Sequence, residues 1–230
     1  MAVKIRYSVI LPVYKQQGYL SKIVKEYSKA LKKLKKPYEV IITINGPLDN
    51  YDNELREMKK FKNFIAFKIK GAGFGLAVNY GLKKAKGEFI CFTNSANTNP
   101  NDVIKILYKA EKYPDSVIKA KRVKREEDSF RMLGSYLYSI ENRILFKTKI
   151  RDINAFPTAF HKDLMKKIKL YTQNSLWDAE FLAKCISKKI PIILFPVNTS
   201  RQFSKKSSTN MKTAVKLYTG IIGLRFNIKD

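Results

Sequence analysis

Acidic residues are scarce in this 230-residue chain: nineteen Asp and Glu stand against forty-six Lys and Arg, a formal net charge of +27. Such a surface suits anionic partners such as phospholipid head groups, pyrophosphate ligands or nucleic acid. The lysines are spread along the whole chain, however, so compositional drift accounts for them equally well. Cysteine is almost absent. Cys91 and Cys185 lie far apart in apolar surroundings, without CxxC or other ligand spacing. They are expected to be buried, reduced thiols, which favours a reducing cytosol. His161 is the only histidine and has no Cys or carboxylate cluster beside it, so it is expected at the surface. No segment reaches the ~20 apolar residues that a spanning helix needs. Met1–Arg6 leads directly into a strand-like run rather than a signal peptide. Recognisable RNA-binding motifs and aromatic–basic alternation are also missing, so nucleic acid is not the expected partner.

What is present is globular: hydrophobic residues make up 45% and aromatics 12%, enough for one domain with a real core. The first half alternates strand and helix. Tyr7–Leu11 reads as a short strand closed by Pro12, and Tyr38–Ile44 as a strand apolar almost throughout, as a parallel strand buried on both faces should be. Further strands are expected at Phe64–Ile69, Glu88–Thr93 and Ile192–Val197. Between them, Ile23, Tyr27, Leu31 and Leu34 share one helical face, a polar helix covers about Asp52–Phe61, and another about Leu76–Ala85. Asn99-Pro100 reads as an N-cap and first helical residue, opening a helix to about Tyr113. Helices are also expected near Arg131–Phe146, Asp178–Ser187 and Met211–Phe226. This rhythm predicts an α/β fold with a doubly wound, mostly parallel sheet. Such sheets bind ligands beyond the carboxyl ends of their strands, here Val13–Gly18, Asn45–Tyr51, Lys70–Phe74 and Asn94–Asn101. Gly71, Gly73 and Gly75 lack the spacing and Lys-Ser/Thr ending of a phosphate loop and read as a tight helix entry.

Several of these segments resemble a known family. Tyr7-Ser8-Val9-Ile10-Leu11-Pro12-Val13-Tyr14 is similar to the opening strand of family 2 glycosyltransferases. The run Gly73–Leu82, with Ala85-Lys86-Gly87-Glu88 after it, resembles their central segment. The ordered set Arg122, Arg131, Ser135, Asn142, Asp152, Asp178-Ala179-Glu180, Arg201 and Ser204-Lys205 resembles the branch of dolichyl- and polyprenyl-phosphate sugar transferases. The resemblance implies a single GT-A domain over 1–208, followed by an amphipathic helix over 209–230. It implies a hexosyltransferase taking a sugar from a UDP- or GDP-linked donor to a polyprenyl phosphate, at the cytosolic membrane face. Donor and phosphate contacts would fall on Pro12, Tyr14, Lys15, Asn45, Asn94, Arg122, Arg131, Arg201 and Lys205, with Asp152, Asp178 and Glu180 near the acceptor. Mg²⁺ or Mn²⁺ is the cofactor expected for the family.

The chain departs from that family where the acids should be. Lys15-Gln16-Gln17 stands where the family has an Asn followed by acids. Ile44-Asn45 replaces two adjacent aspartates before Gly46, and Asn94-Ser95-Ala96 replaces Asp-x-Asp. Neutral Asn94 and Thr98 are the remaining oxygen ligands, so no metal site is expected. Two accounts follow. Cationic side chains, namely Lys15, Lys121, Arg122, Arg125 and Arg131, replace the metal. Alternatively the domain no longer catalyses and serves as a binding or scaffold partner for a membrane protein or an intact transferase.

The surviving acids read two ways as well. Asp178 and Glu180 either polarise an acceptor or stabilise a helix N-terminus. Asp152 either orients Arg151 or a lysine at the acceptor site, or caps a loop, and Asp49 reads as a relic of the nucleotide loop. Trp177 stacks on a ligand or fills the core. Ala214–Leu224, following Arg201, Lys205, Lys206 and Lys212, suits an anionic membrane interface or a helix packed on the domain.

Overall fold

The computed structural model describes residues 4–46, 51–123, 140–141, 143–146, 148, 150, 152–198 and 220–225. Its elements run β1 (Tyr7–Val13), α1 (Leu20–Leu31), β2 (Tyr38–Asn45), α2 (Asp52–Met58), β3 (Phe64–Ile69), α3 (Phe74–Lys84), β4 (Phe89–Phe92) and α4 (Pro100–Lys112). They continue with β5 (Val117–Arg122), β6 (Thr158–His161), α5 (Leu164–Lys167), α6 (Trp177–Ser187) and β7 (Ile192–Val197). The strands form one sheet in the order β3-β2-β1-β4-β6-β5-β7. All pair in parallel except β6, which runs antiparallel to both β4 and β5.

Alternation along the central strands divides the core in two. Tyr7, Val9, Leu11 and Val13 of β1, with Val40, Ile42 and Ile44 of β2, meet α1 and α4 on one face. Ile10, Ile90 and Phe92 meet α3 and α6 on the other. Helix α1 inserts Leu20, Ile23, Val24, Tyr27 and Leu31, each side chain contributing roughly 1.5–3 kcal/mol on burial. Its N-terminus has no cap of its own. Glu54 of α2 supplies one, accepting from the Leu20 and Ser21 amides at 2.9 and 3.4 Å. Asn99 caps α4 as expected, its side chain accepting from the Asn101 amide, with Pro100 at the first turn. Cys91 and Cys185 are buried and unpaired, and burial pushes both thiols up, Cys185 to about 12.

Three features differ from the sequence reading. β1 does not stop at Leu11 but runs through Pro12 to Val13. Proline is tolerated there because β4 ends opposite Ile10, so no neighbouring strand asks Pro12 for an N–H. β5 and β6 are additional strands; two lysines interrupt the apolar pattern of the first, and the second has only four residues. His161 is half-buried, its ring edge-on to Phe89 at 5.1 Å.

The described pieces of the two later helices are helical. Within 140–146, Leu145 and Phe146 pack against the second core while Ile144 is 72% exposed. In 220–225, Ile221 is fully buried and Gly220 lies against Leu176, whereas Ile222 faces outward. That turn docks on the domain. No helix among the described residues is long and apolar enough to cross a membrane.

Candidate active site

Because only β6 is reversed, the carboxyl ends of β1 to β5 and β7 share one edge, which also receives the start of β6. The winding changes direction between β1 and β4, so the loops after these strands flank the crevice. After β1, Tyr14 and Lys15 are exposed, and Lys15 takes a left-handed backbone with φ of 52°. The Lys15 ammonium stands 5.4 Å over the Tyr14 ring. That ring also lies against Gly46, where an added Cβ would come within 2.4 Å of it. Asn45 is buried and donates from Nδ2 to the Gly73 carbonyl at 2.8 Å, while the Gly46 amide donates to Gly71 at 2.8 Å. These bonds fasten the end of β2 to the entrance of α3.

The entrance of α3 is occupied by the chain itself. The amides of Gly75 and Leu76 donate to the Asn174 and Gln173 carbonyls at 3.2 and 2.8 Å. Gly73 has φ of 157° and lies so close that a Cβ there would be 2.2 Å from the Gln173 oxygen. The helix dipole and N–H groups that commonly bind phosphate are therefore spent on residues 173–174. The three glycines make a tight helix entry, as their spacing suggested.

After β4, every polar side chain in place of the expected acids is engaged. Asn94 Oδ1 accepts from the Ala96 amide at 3.0 Å. The buried Ser95 hydroxyl lies 2.8 Å from both the Pro12 carbonyl and Gln16 Oε1. Ala96 turns into the first core, and the buried Thr98 hydroxyl accepts from Thr93 at 2.5 Å. Gln16 in turn donates its amide to the Tyr51 hydroxyl at 2.9 Å. Among the described residues no three His, Cys, Asp or Glu gather as a metal site. A divalent cation demands several oxygen ligands, usually carboxylates, and this donor set does not fit one.

The remaining candidates lie toward β5. Arg122, the last residue of that strand, forms a bidentate pair with Asp152, Nε and Nη2 each 2.7 Å from a carboxylate oxygen. Asp178 is buried and faces Lys119, itself wholly buried, at 3.4 Å. Lys119 also donates to the Ala155 carbonyl and Thr158 hydroxyl at 2.8 and 3.2 Å. Burial raises the Asp178 carboxyl, opposed by Lys119. Glu180, two residues further on, accepts from the Tyr171 and Thr172 amides and pairs with Lys184 at 2.9 Å. Burial pushes it up, but Lys184 and those amides outweigh burial and leave it lowered. Trp177 is core: it stacks on Phe181 at 5.3 Å, and its Nε1 donates to Asn79 at 2.7 Å.

Of the expected donor and phosphate contacts, the structure therefore gathers Pro12, Tyr14, Lys15, Asn45, Asn94 and Arg122 at one edge. Arg125, Arg131, Arg151, Arg201, Lys205 and Asp49 lie outside the described residues. Sequence reasoning missed Gln16, Ser95 and Lys119. Only Lys119 left a signal, a lysine two residues from Val117 and so on the same face of the strand, flanked by apolar Ile118 and Ala120.

The profile of the family described as Glycosyl transferase family 2 matches residues 8–169, from the first strand past β6. The chain belongs to that family. Two curated members are undecaprenyl-phosphate 4-deoxy-4-formamido-L-arabinose transferases. That of Serratia proteamaculans (strain 568) is 24% identical over 136 residues, covering 58% of this chain and 42% of the relative. That of Proteus mirabilis (strain HI4320) is 26% identical over 131 residues, covering 56% and 40%. The chain thus spans about two fifths of the length of these relatives. Glucosyl-3-phosphoglycerate synthase from Mycobacterium tuberculosis, solved with Mn²⁺, UDP and phosphoglyceric acid, shares the fold with a TM-score of 0.74 at 14% identity. That match covers 98% of this chain and 80% of the synthase. The GT-A architecture expected from the sequence is the one observed.

Proposed function

We propose that this family member transfers a sugar from a UDP- or GDP-linked donor to a polyprenyl phosphate at a membrane surface, with weak or no metal dependence. The observation that supports it is the charge of the crevice. The switch-point loops carry Lys15, Gln16, Asn45, Asn94 and Ser95, with Lys121 and Arg122 at the end of β5 and no Asp or Glu in the sequence of the segments 14–19 and 93–99 that follow β1 and β4. Fixed cations stabilise a departing diphosphate without a metal. The curated relatives carry undecaprenyl phosphate in their names, which supports a lipid phosphate as acceptor.

In this chemistry a phosphate oxygen of the lipid attacks the anomeric carbon opposite the leaving group. The bond from that carbon to the donor pyrophosphate breaks, the nucleoside diphosphate leaves with the electron pair, and the configuration inverts. The attacking oxygen is already anionic, so no general base is required. This agrees with Asp178 and Glu180 being committed to Lys119 and Lys184. Arg122, held in place by its bidentate pair with Asp152, is a fixed cation for a phosphate, and a cationic surface with Ile144 and Ile222 exposed suits an anionic bilayer.

The engagement of Asn94, Ser95, Thr98, Asp178 and Glu180 inside the protein favours a second reading, a catalytically inactive homologue that binds or scaffolds. The test is incubation with UDP- and GDP-sugars and undecaprenyl phosphate in anionic vesicles, with EDTA or with Mn²⁺. Lipid-linked sugar formed in EDTA supports transfer without metal. Product formed only with Mn²⁺ sinks the metal-free part. Nucleotide binding and vesicle flotation without product support the inactive homologue.

A further inference from the structure

Three loops meet at Gln16. Its backbone amide donates to Tyr51, the wholly buried residue that opens α2, and its side-chain oxygen lies 2.8 Å from the Ser95 hydroxyl of the loop after β4. Ser95 also lies 2.8 Å from the carbonyl of Pro12, which points toward β4 just beyond that strand's end. The loop after β1 is thereby fastened to the loop after β4 and to the start of α2, across the point where the winding reverses. Every group in the fastening is neutral. No carboxylate in it needs a counter-ion, and the adjacent cation, Lys15, is exposed with its ammonium over the Tyr14 ring.

We infer that Gln16 and Ser95 are positioning residues that fasten the loop after β1 to the loop after β4 without a metal ion. They hold the two lips of the crevice at a fixed separation, so that a nucleoside diphosphate binds to a preformed, metal-free site. The inference rests on the donor reading above and deepens it. A neutral fastening carries no charge penalty on desolvation, whereas acids at these positions would repel the diphosphate unless a cation intervened. Ala96 supports the same conclusion, since it is turned into the first core and offers no ligand at the position where the second acid of Asp-x-Asp is expected.

The experiment is calorimetric titration of the whole chain with UDP and with GDP, each in EDTA and in Mn²⁺, alongside titration with Mn²⁺ alone. Wild type is expected to bind one nucleotide equally well in both conditions and to show no heat with Mn²⁺. Ser95→Ala and Gln16→Ala are expected to weaken nucleotide binding about tenfold. Gln16→Glu keeps an acceptor for Ser95 but adds a charge. It is expected to retain the wild-type melting temperature, to lose affinity in EDTA and to recover it in Mn²⁺. A merely structural role would not produce that metal-dependent recovery. Equal affinity in wild type and both alanine variants overturns the inference alone, and so does a tenfold gain by wild type in Mn²⁺. Absence of binding to either nucleotide by wild type overturns the donor reading and this inference with it.

Discussion

The ammonium of Lys119 lies 3.4 Å from the carboxylate of Asp178, and neither side chain is more than 3% exposed. The pair joins β5 to α6, and through the Ala155 carbonyl it also holds the loop that carries Asp152. Its expense in desolvation is offset by hydrogen bonds to Ala155 and Thr158 and by the Phe156 ring 5.3 Å away. Removing one partner strands the other. Lys119→Met is expected to destabilise the fold by about 3–5 kcal/mol in urea unfolding. Asp178→Leu added to it should recover much of that loss. The Asp178 carboxyl is already raised by burial, and without Lys119 it rises further. A carboxyl raised in the folded state adds stability as pH falls, so Lys119→Met should be less destabilised at pH 5 than at pH 8.

Glu180 governs the entrance of α3 from a distance. It fixes the Tyr171 and Thr172 amides, and the segment that follows caps the helix with the carbonyls of Gln173 and Asn174. Glu180→Gln loses the charge that holds Lys184 and is expected to cost about 1–3 kcal/mol. Hydrogen exchange should show the Gly75 and Leu76 amides losing protection before those in the middle of α3.

The contact of Tyr14 with Gly46 leaves no room for a side chain. Gly46 has φ of 88° and an added Cβ would sit 2.4 Å from the ring. Gly46→Ala is expected to cost about 1–3 kcal/mol through backbone strain and displacement of the ring. Nucleotide affinity should fall with it, whereas Gly18→Ala, strained but with nothing within 4 Å, should lower stability without displacing Tyr14.

At the opposite edge of the sheet Glu111 accepts from Tyr7, Arg6 and Lys36, and His161 and Arg6 flank Glu88. Burial raises the Glu111 carboxyl, but its three donors outweigh burial and hold it at about 2 against an ordinary 4.5. A depressed carboxyl contributes stability above its unfolded value, lost as pH falls from about 4.5 toward 2. Acid titration of unfolding free energy should steepen in that window, and Glu111→Gln should flatten it.

Much of the fold was legible because its determinants are local or periodic. β3 and β7 follow from apolar runs between breakers, and α4 from the Asn99-Pro100 cap. Family membership was legible in the order of short motifs. β5 and β6 were not, because Lys119 breaks an apolar strand and is neutralised by Asp178 from 59 residues away. The loss of the family's acids at Lys15-Gln16-Gln17, Ile44-Asn45 and Asn94-Ser95-Ala96 was also plain, since a missing functional group requires no structure to establish.

What only the tertiary structure decided is how the remaining groups are used. Asp178 and Glu180 read as acids near an acceptor or as helix-end charges; packing showed that each faces an internal cation. Trp177 became core because Phe74, Phe92 and Phe181 surround it. Gln16 and Ser95, unremarkable side chains 79 positions apart, became partners because β1 and β4 lie side by side. The sequence by itself determined the residue types and their periodicity, and hence the layers of the fold. The pairing of distant polar groups depended on which strands became neighbours, a relation that chain order alone does not express.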